Sequence, residues 1–197
     1  MEYFIEFLDG FFDYIKANNC PLDFFSWHCY GATTEKFYDL ASFMRTKLDE
    51  YGLERTESIL NEWNYVKGWE GEKWIYTLRR EKDIKGATFV ASVMTTSQKA
   101  PLDMLMYYDA RPTAWNGLFD FSQLGKCTLK GYYPFVMFNT LYRLGESVAV
   151  AWEEPNLYAC AARNETDGAL VLTHFNDTDQ SEPKDITLEL CGYGNEN

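Results

Sequence analysis

The chain has 197 residues, 46% of them hydrophobic and 17% aromatic, which is length for one domain, or one with a small second, and too much core material for a disordered chain. Thirty acidic residues against 18 basic ones give a net charge of −12, a surface that repels phosphate backbones and argues against nucleic acid as a partner. No apolar run approaches the ~20 residues of a membrane helix, and Met1 to Gly10 carries Glu2, Glu6 and Asp9 with no basic residue, unlike a signal peptide. The expectation is an acidic globular chain with no membrane partner.

In chain order, Tyr3 to Ala17 sets Phe4, Phe7, Leu8, Phe11, Phe12 and Ile15 at helical spacing, and Cys20-Pro21 ends that helix. Leu22 to Trp27 reads as a short buried strand rich in aromatics. Gly31-Ala32-Thr33-Thr34 is a loop, with Thr33 or Thr34 as N-cap and Glu35 in the first turn of the next helix. That helix aligns Phe37, Leu40, Ala41, Met44 and Leu48, and Gly52 stands where a C′ glycine stops it. Ser58 to Trp63 reads as a second strand, followed by a loop rich in glycine and tryptophan through Gly68, Trp69 and Gly71. A helix runs from about Asp83 to Ser97. Pro101 then precedes a third strand, Leu102 to Tyr108. An irregular loop through Arg111, Pro112 and Asn116 leads to a last helix, about Tyr132 to Leu144. Beyond Gly145 the helical period stops. Val148 to Trp152, Leu157 to Ala162, Leu170 to Phe175 and Ile186 to Leu190 read as short strands, with Asp167-Gly168 as a hairpin turn.

Strand and helix alternating three times is the pattern of parallel βα units, an α/β fold. No Gly-x-Gly-x-x-Gly or Gly-Lys-Ser/Thr loop follows a strand, which argues against a nucleotide fold and leaves the (β/α)8 TIM barrel as the better candidate. A closed barrel takes eight strands and typically ~250 residues. With about three strands, the chain is either another α/β fold or part of a barrel. Residues 1–145 form this α/β part, and residues 146–197 read as a small antiparallel β-sheet, half of a sandwich domain. The five cysteines fall at irregular spacing with no Cys-x-x-Cys pair, and the histidines are only His28 and His174. That pattern supplies neither a zinc site nor a disulfide framework. Buried free thiols, no metal and no cofactor are expected, with a mild lean to a reducing, cytoplasmic compartment.

In a parallel barrel, active residues lie at the C-terminal ends of the strands. Here those ends read Trp27-His28-Cys29-Tyr30, then Asn61-Glu62-Trp63-Asn64-Tyr65, then Tyr107-Tyr108-Asp109-Ala110-Arg111. Alternation puts Phe24, Ser26, His28 and Tyr30 on one face, and Leu60, Glu62 and Asn64 on one face of the second strand. A carboxylate hemmed by Trp and Tyr pays a desolvation cost unless neighbours hydrogen-bond it. Asn61, Asn64, His28 and Tyr30 can supply those donors, which makes Glu62 the strongest candidate for chemistry. Against this, a Glu at a strand end is usually solvated, a lone His on an aromatic strand is more often packed, and Trp63, Trp69 and Trp115 are more often anchors than sugar platforms. His28 and Cys29 are adjacent and so point to opposite faces, which excludes a thiol–imidazole pair. No Gly-x-Ser-x-Gly nucleophile elbow occurs.

Three of these stretches resemble glycoside hydrolase family 39, the family of β-xylosidases and α-L-iduronidases. Asp23-Phe24-Phe25-Ser26-Trp27-His28-Cys29-Tyr30 resembles its sixth strand, and Ile59-Leu60-Asn61-Glu62-Trp63-Asn64 its seventh. Gly86 to Ala91 with Pro101 to Asp109 resembles its seventh helix and eighth strand, and Gly131-Tyr132-Tyr133-Pro134-Phe135 the start of its eighth helix. The likeness runs from roughly Phe11 to Gly192. It implies the last three βα units of a (β/α)8 barrel followed by a β-rich accessory domain. It also implies a retaining mechanism on O-glycosidic bonds, of a β-xyloside or related sugar, with Glu62 as nucleophile. His28, Tyr30, Trp63, Asn64, Tyr108 and Asp109 would contact the carbohydrate substrate. A retaining pair needs a second carboxyl about 5–5.5 Å from the first. In the family this is the Glu of an Asn-Glu-Pro strand end, which this sequence does not contain. The resemblance therefore implies an inactive or partner-dependent fragment, which would pair with itself or with a missing N-terminal half-barrel. Any signal peptide would lie upstream, so localisation stays open. The alternative is a non-catalytic carbohydrate-binding or protein-interaction module.

Overall fold

The structure is a computed structural model that describes residues 2–111, 117–120, 127–180 and 183–191. Pro112, Trp115 and Asn116 of the expected loop, and Gly192, lie outside them.

Strand β1 (Phe24–Gly31), strand β2 (Glu57–Tyr65) and strand β3 (Met104–Leu105) form a parallel sheet in the order β1-β2-β3. Helix α1 (Glu2–Ala17) precedes it. Helix α2 (Glu35–Glu50) makes the first crossover, and α3 (Gly71–Arg80) with α4 (Ile84–Ser97) makes the second. Parallel strands need such crossovers, and the helices cover one face of the sheet. The core behind that face gathers Leu8 and Phe12 from α1, Phe37, Ala41, Met44 and Leu48 from α2, and Phe89, Val90 and Val93 from α4. It meets Trp27, Cys29, Leu60, Trp63 and Tyr65 from the sheet. On α1 the expected apolar stripe is only partly used, since Phe4 and Phe7 are exposed.

Helix α2 ends as its sequence requires. Gly52 has φ +75°, its N–H bonds to the Asp49 carbonyl at 3.0 Å, and the Leu53 N–H reaches back to Leu48 at 2.9 Å. This is a Schellman stop. A β-carbon at Gly52 would meet nothing within 4 Å, so only backbone conformation opposes one. Gly52→Ala is expected to cost about 1–2 kcal/mol, read as a lower urea midpoint at unchanged m. At the other end Thr34 is the N-cap residue, but its hydroxyl does not cap the helix. It bonds the Tyr158 hydroxyl at 2.6 Å instead.

The second strand departs from simple alternation. Opposite β1, Trp27 pairs with Leu60 but His28 pairs with Glu62, leaving Asn61 as an extra residue. The other neighbour sees the same bulge: the Met106 N–H bonds Leu60, yet the Tyr108 N–H bonds Trp63. Paired residues share a face, so the bulge moves Leu60 to the helix side with Trp27 and leaves Glu62 and Asn64 on the other side with His28 and Tyr30. The expectation that Leu60, Glu62 and Asn64 share one face is corrected accordingly. The third strand is also shorter than Leu102 to Tyr108, because the ladder is regular only at Ile59–Met104 and Leu60–Leu105, before the bulge.

Helix α3 is absent from the sequence expectation, which ran a loop through this region. Its ten residues are amphipathic, but the helix is short, opens on Gly71, and buries only Thr77. Strand β4 (Phe119–Asp120) pairs with β5 (Cys127–Thr128), and α5 (Tyr132–Leu144) ends at Gly145. Then β6 (Glu146–Val148), β7 (Leu157–Arg163) and β8 (Gly168–His174) form an antiparallel sheet in that order. The β7–β8 turn closes at Asn164–Asp167. The first tail strand thus falls earlier than Val148 to Trp152. Ile186 to Leu190 is irregular rather than a strand, and Ile186, Leu188 and Leu190 are exposed. They pair with no strand among the described residues. All five cysteines are free, but only Cys29 is buried, so the expectation of buried thiols holds at one position. Among the described residues no group of three His, Cys, Asp or Glu is placed to hold a metal, and no helix is long and apolar enough to cross a membrane.

The antiparallel sheet packs on α5 through Leu141, Ala162 and Val171, and Phe175 at its end meets Phe89 at 5.3 Å. Beyond it, Asp177 accepts from the Tyr65 hydroxyl at 2.7 Å and pairs with Lys67 and Lys85. Asp179 accepts from Tyr76 and pairs with Lys85 at 3.3 Å and Arg80 at 3.5 Å. This clasp ties the tail to the far end of β2 and to α3. Asp177→Ala removes the carboxylate that the Tyr65 hydroxyl and the Lys67 ammonium share, and a loss of about 1–3 kcal/mol is expected in urea unfolding.

Tyr76 and Lys85 hold the Asp179 carboxyl below its usual range, and Arg163 does the same for Glu146. A depressed carboxylate contributes its stability above the unfolded pKa, near 4, and loses it as pH falls through the folded value. The melting temperature is therefore expected to drop between pH 5 and pH 3. At 0.5 M salt the drop should shrink, because these groups are exposed and screened.

Candidate active site

The C-terminal ends of β1 and β2 and the segment after β3 converge on the sheet face that the described helices leave uncovered. Glu62 lies there with its side chain 30% exposed. The Tyr30 hydroxyl donates to Glu62 Oε2 at 2.8 Å, and His28 Nδ1 lies 3.3 Å from the same oxygen. Both come from β1, two residues apart, and the bulge at Asn61 brings Glu62 into their register. Burial and the Glu62 carboxylate together push the Tyr30 phenol far up, so it stays a neutral donor. One carboxylate oxygen is thus held by β1, which fixes the side-chain rotamer and aims the other.

Asn64 stands two residues further along β2 and is 1% exposed. Its amide donates to the Tyr107 hydroxyl at 3.1 Å and the Tyr108 carbonyl at 2.9 Å, while its oxygen accepts from the Tyr65 N–H at 2.7 Å. Both amide N–H contacts hold the Tyr107–Tyr108 segment beside β2. The Tyr108–Asp109 peptide is cis. Asp109 is buried and accepts from Arg111 Nε at 2.7 Å and the Arg111 N–H at 3.0 Å. Arg111 also donates to the Tyr108 hydroxyl at 2.6 Å. The guanidinium takes Oδ2 and the backbone N–H takes Oδ1, so Arg111 occupies both carboxylate oxygens and fixes the loop.

Of the residues singled out in the sequence, His28, Tyr30 and Glu62 touch one another, and Asn64, Tyr108 and Asp109 form the adjoining network. Trp63 stands apart. It is 1% exposed on the helix face, packed edge-on against Phe37 and Tyr107. Cys29 lies on that buried face too, and burial pushes its thiol up to about 11, which makes it a poor nucleophile. The sequence pattern left Tyr107 and Arg111 without a role and favoured an anchor for Trp69 over a sugar platform. Tyr107 and Arg111 were visible only as polar neighbours of a strand end, whereas Trp69 was visible as a large aromatic between Gly68 and Gly71. Trp69 stacks on Trp74 at 5.6 Å and meets Tyr30 edge-on at 5.2 Å. Two clefts, about 300 and 320 Å³, lie at the Asp177–Asp179 clasp rather than over Glu62. They reflect the meeting of tail and helices, while Glu62 faces an open sheet.

No protein-family model matches the chain, and no curated protein matches its sequence. Solved structures do. A glucosidase from Croceicoccus marinus superposes with a TM-score of 0.60 at 23% identity, covering 81% of this chain and 34% of that one. An α-L-arabinofuranosidase of glycoside hydrolase family 51 from Thermotoga petrophila gives 0.49 at 18% identity, covering 76% and 38%. The chain therefore has a glycoside hydrolase-like fold, and it spans about a third of the length of the structures it matches.

Proposed function

We propose that Glu62 is the nucleophile of a retaining glycoside hydrolase acting on O-glycosidic bonds, with a β-xyloside or related sugar as substrate. The observation that carries this reading is the Glu62 carboxylate at a parallel strand end, on the open face, with one oxygen held by Tyr30 and His28. The other oxygen attacks the anomeric carbon as the bond to the leaving oxygen breaks. The glycosyl ester is then hydrolysed, and the carboxylate returns. Asn64, Tyr108 and Asp109 position the sugar-facing loop, and Trp63 supports Glu62 from behind as a core anchor. The order of the three strand-end motifs supports family 39 in particular.

The leaving oxygen needs a proton from a second carboxyl about 5–5.5 Å away. Asp109 does not serve, because Arg111 occupies both its oxygens. In this reading the acid comes from further parallel βα units, which would pair with the edges of β1 and β3. Residues 24–109 then form the last three strands of a barrel, with the antiparallel sheet as accessory domain. A missing general acid typically costs ~10²–10⁴ in rate, so the chain alone is expected to turn over aryl xylosides negligibly. Turnover abolished by Glu62→Gln would refute that expectation.

The test of the nucleophile is reaction with 2-deoxy-2-fluoro glycosyl fluorides of xylose, glucose and arabinose. Mass spectrometry should find one glycosyl adduct, on the peptide holding Glu62. Sugar binding with no adduct would favour the non-catalytic carbohydrate-binding module instead.

A further inference from the structure

From the geometry around Tyr30 we infer that Trp69 is a stacking platform for a second sugar ring of the substrate, next to the ring that meets Glu62. The inference rests on the glycosidase reading of Glu62 and deepens it by naming the ligand class: a disaccharide or longer chain rather than a simple glycoside.

Trp69 is the large aromatic of the loop between β2 and α3, and it is 54% exposed although Trp74 covers part of it. The indole planes of Trp69 and Trp74 are 22° apart, so the ring of Trp69 is backed by a second ring. Tyr30 meets it at 79°, edge to face. The same Tyr30 donates to the Glu62 carboxylate, so the platform stands one tyrosine away from the reacting oxygen.

The loop is also held in place. Its first residue, Val66, bonds the Gly31 carbonyl at 2.9 Å. The Lys67 N–H bonds the Thr77 hydroxyl on α3 at 3.0 Å, and the Lys67 ammonium pairs with Asp177. Gly71 turns the chain at φ +56° into α3, whose first turns carry Trp74. An exposed tryptophan fixed by its neighbours loses little rotamer freedom on binding. Its flat apolar surface suits the C–H face of a pyranose ring, while the ring hydroxyls stay in water. Trp63 cannot do this, because it is sealed in the core.

Titration of the whole chain, followed by the indole N–H signals in NMR, tests the assignment. The probes are methyl β-D-xyloside against xylobiose and methyl β-D-glucoside against cellobiose. In at least one pair the disaccharide is expected to bind about tenfold tighter, the gain of one aromatic stacking contact. Trp69→Ala should bring each disaccharide down to about the affinity of its monosaccharide, while Trp69→Phe should keep most of the gain. Circular dichroism checks that each variant is folded, and Trp69→Gln replaces Trp69→Ala if that one is not. Equal affinities within every pair that binds, or a gain that survives loss of the indole, would overturn the platform and leave the Glu62 reading standing. No binding in either pair would overturn the sugar site and the platform with it.

Discussion

Glu62→Gln should leave the fold intact and lower covalent labelling by a 2-fluoro glycosyl fluoride at least about 10³-fold. Glutamine has the same shape, and its amide oxygen can still accept from Tyr30, so the contact at 2.8 Å survives. The side chain is partly exposed, so losing its charge strands nothing in the interior. Urea unfolding should therefore shift by no more than about 0.5 kcal/mol. What disappears is the electron pair that attacks the anomeric carbon, since an amide is not a useful nucleophile.

Fluoride as leaving group matters to this experiment. It departs without a proton, so the reaction reports on Glu62 whether or not a general acid is at hand. Tyr30→Phe gives the companion result. Removing the phenol frees the Glu62 rotamer and the held oxygen, and labelling should slow by about tenfold to a hundredfold while still falling on Glu62. Labelling of Glu62→Gln at the wild-type rate, or an adduct on another peptide, would remove Glu62 from the mechanism.

The largest effect on stability is expected at Phe89. Its ring is fully buried, and it meets Phe37 of α2 at 5.6 Å, Tyr65 of β2 at 5.3 Å and Phe175 beyond β8 at 5.3 Å. One side chain thus joins the parallel sheet, its crossover helix and the antiparallel sheet. Phe89→Ala opens a cavity at that junction and should cost about 3–5 kcal/mol. Such a loss is a large fraction of the 5–15 kcal/mol typical of a folded domain. Phe89→Leu fills most of the volume and should cost roughly half as much or less. Urea titration read by tryptophan fluorescence measures both, with a single transition for wild type because the two sheets share this core. A cost under about 1 kcal/mol for the alanine variant would mean that Phe89 does not hold the junction.

What could be read without coordinates was what is encoded locally. The parallel βα order, the extents of α2, α4 and α5, the Gly52 stop and the β7–β8 turn all follow from periodicity, capping and turn chemistry within a few residues. Local pattern also singled out Glu62, His28 and Tyr30, because polar residues at the ends of apolar strands stand out. Helix α3 escaped although its residues are amphipathic, because it is only ten residues long and opens on Gly71 in a stretch whose glycines and tryptophans read as loop. Pairing between distant segments decided the rest. The bulge at Asn61 arises only when β2 is matched to both neighbours, and it turns Glu62 and Leu60 to opposite faces. Contacts with distant segments likewise bury Trp63 in the core, leave Trp69 at the surface beside Tyr30, and send the Thr34 hydroxyl to Tyr158 instead of its own helix. Ile186 to Leu190 has the alternation of a strand but pairs with none among the described residues. Alternation, composition and capping are properties of neighbours along the chain, while register and exposure belong to residues that meet only after folding.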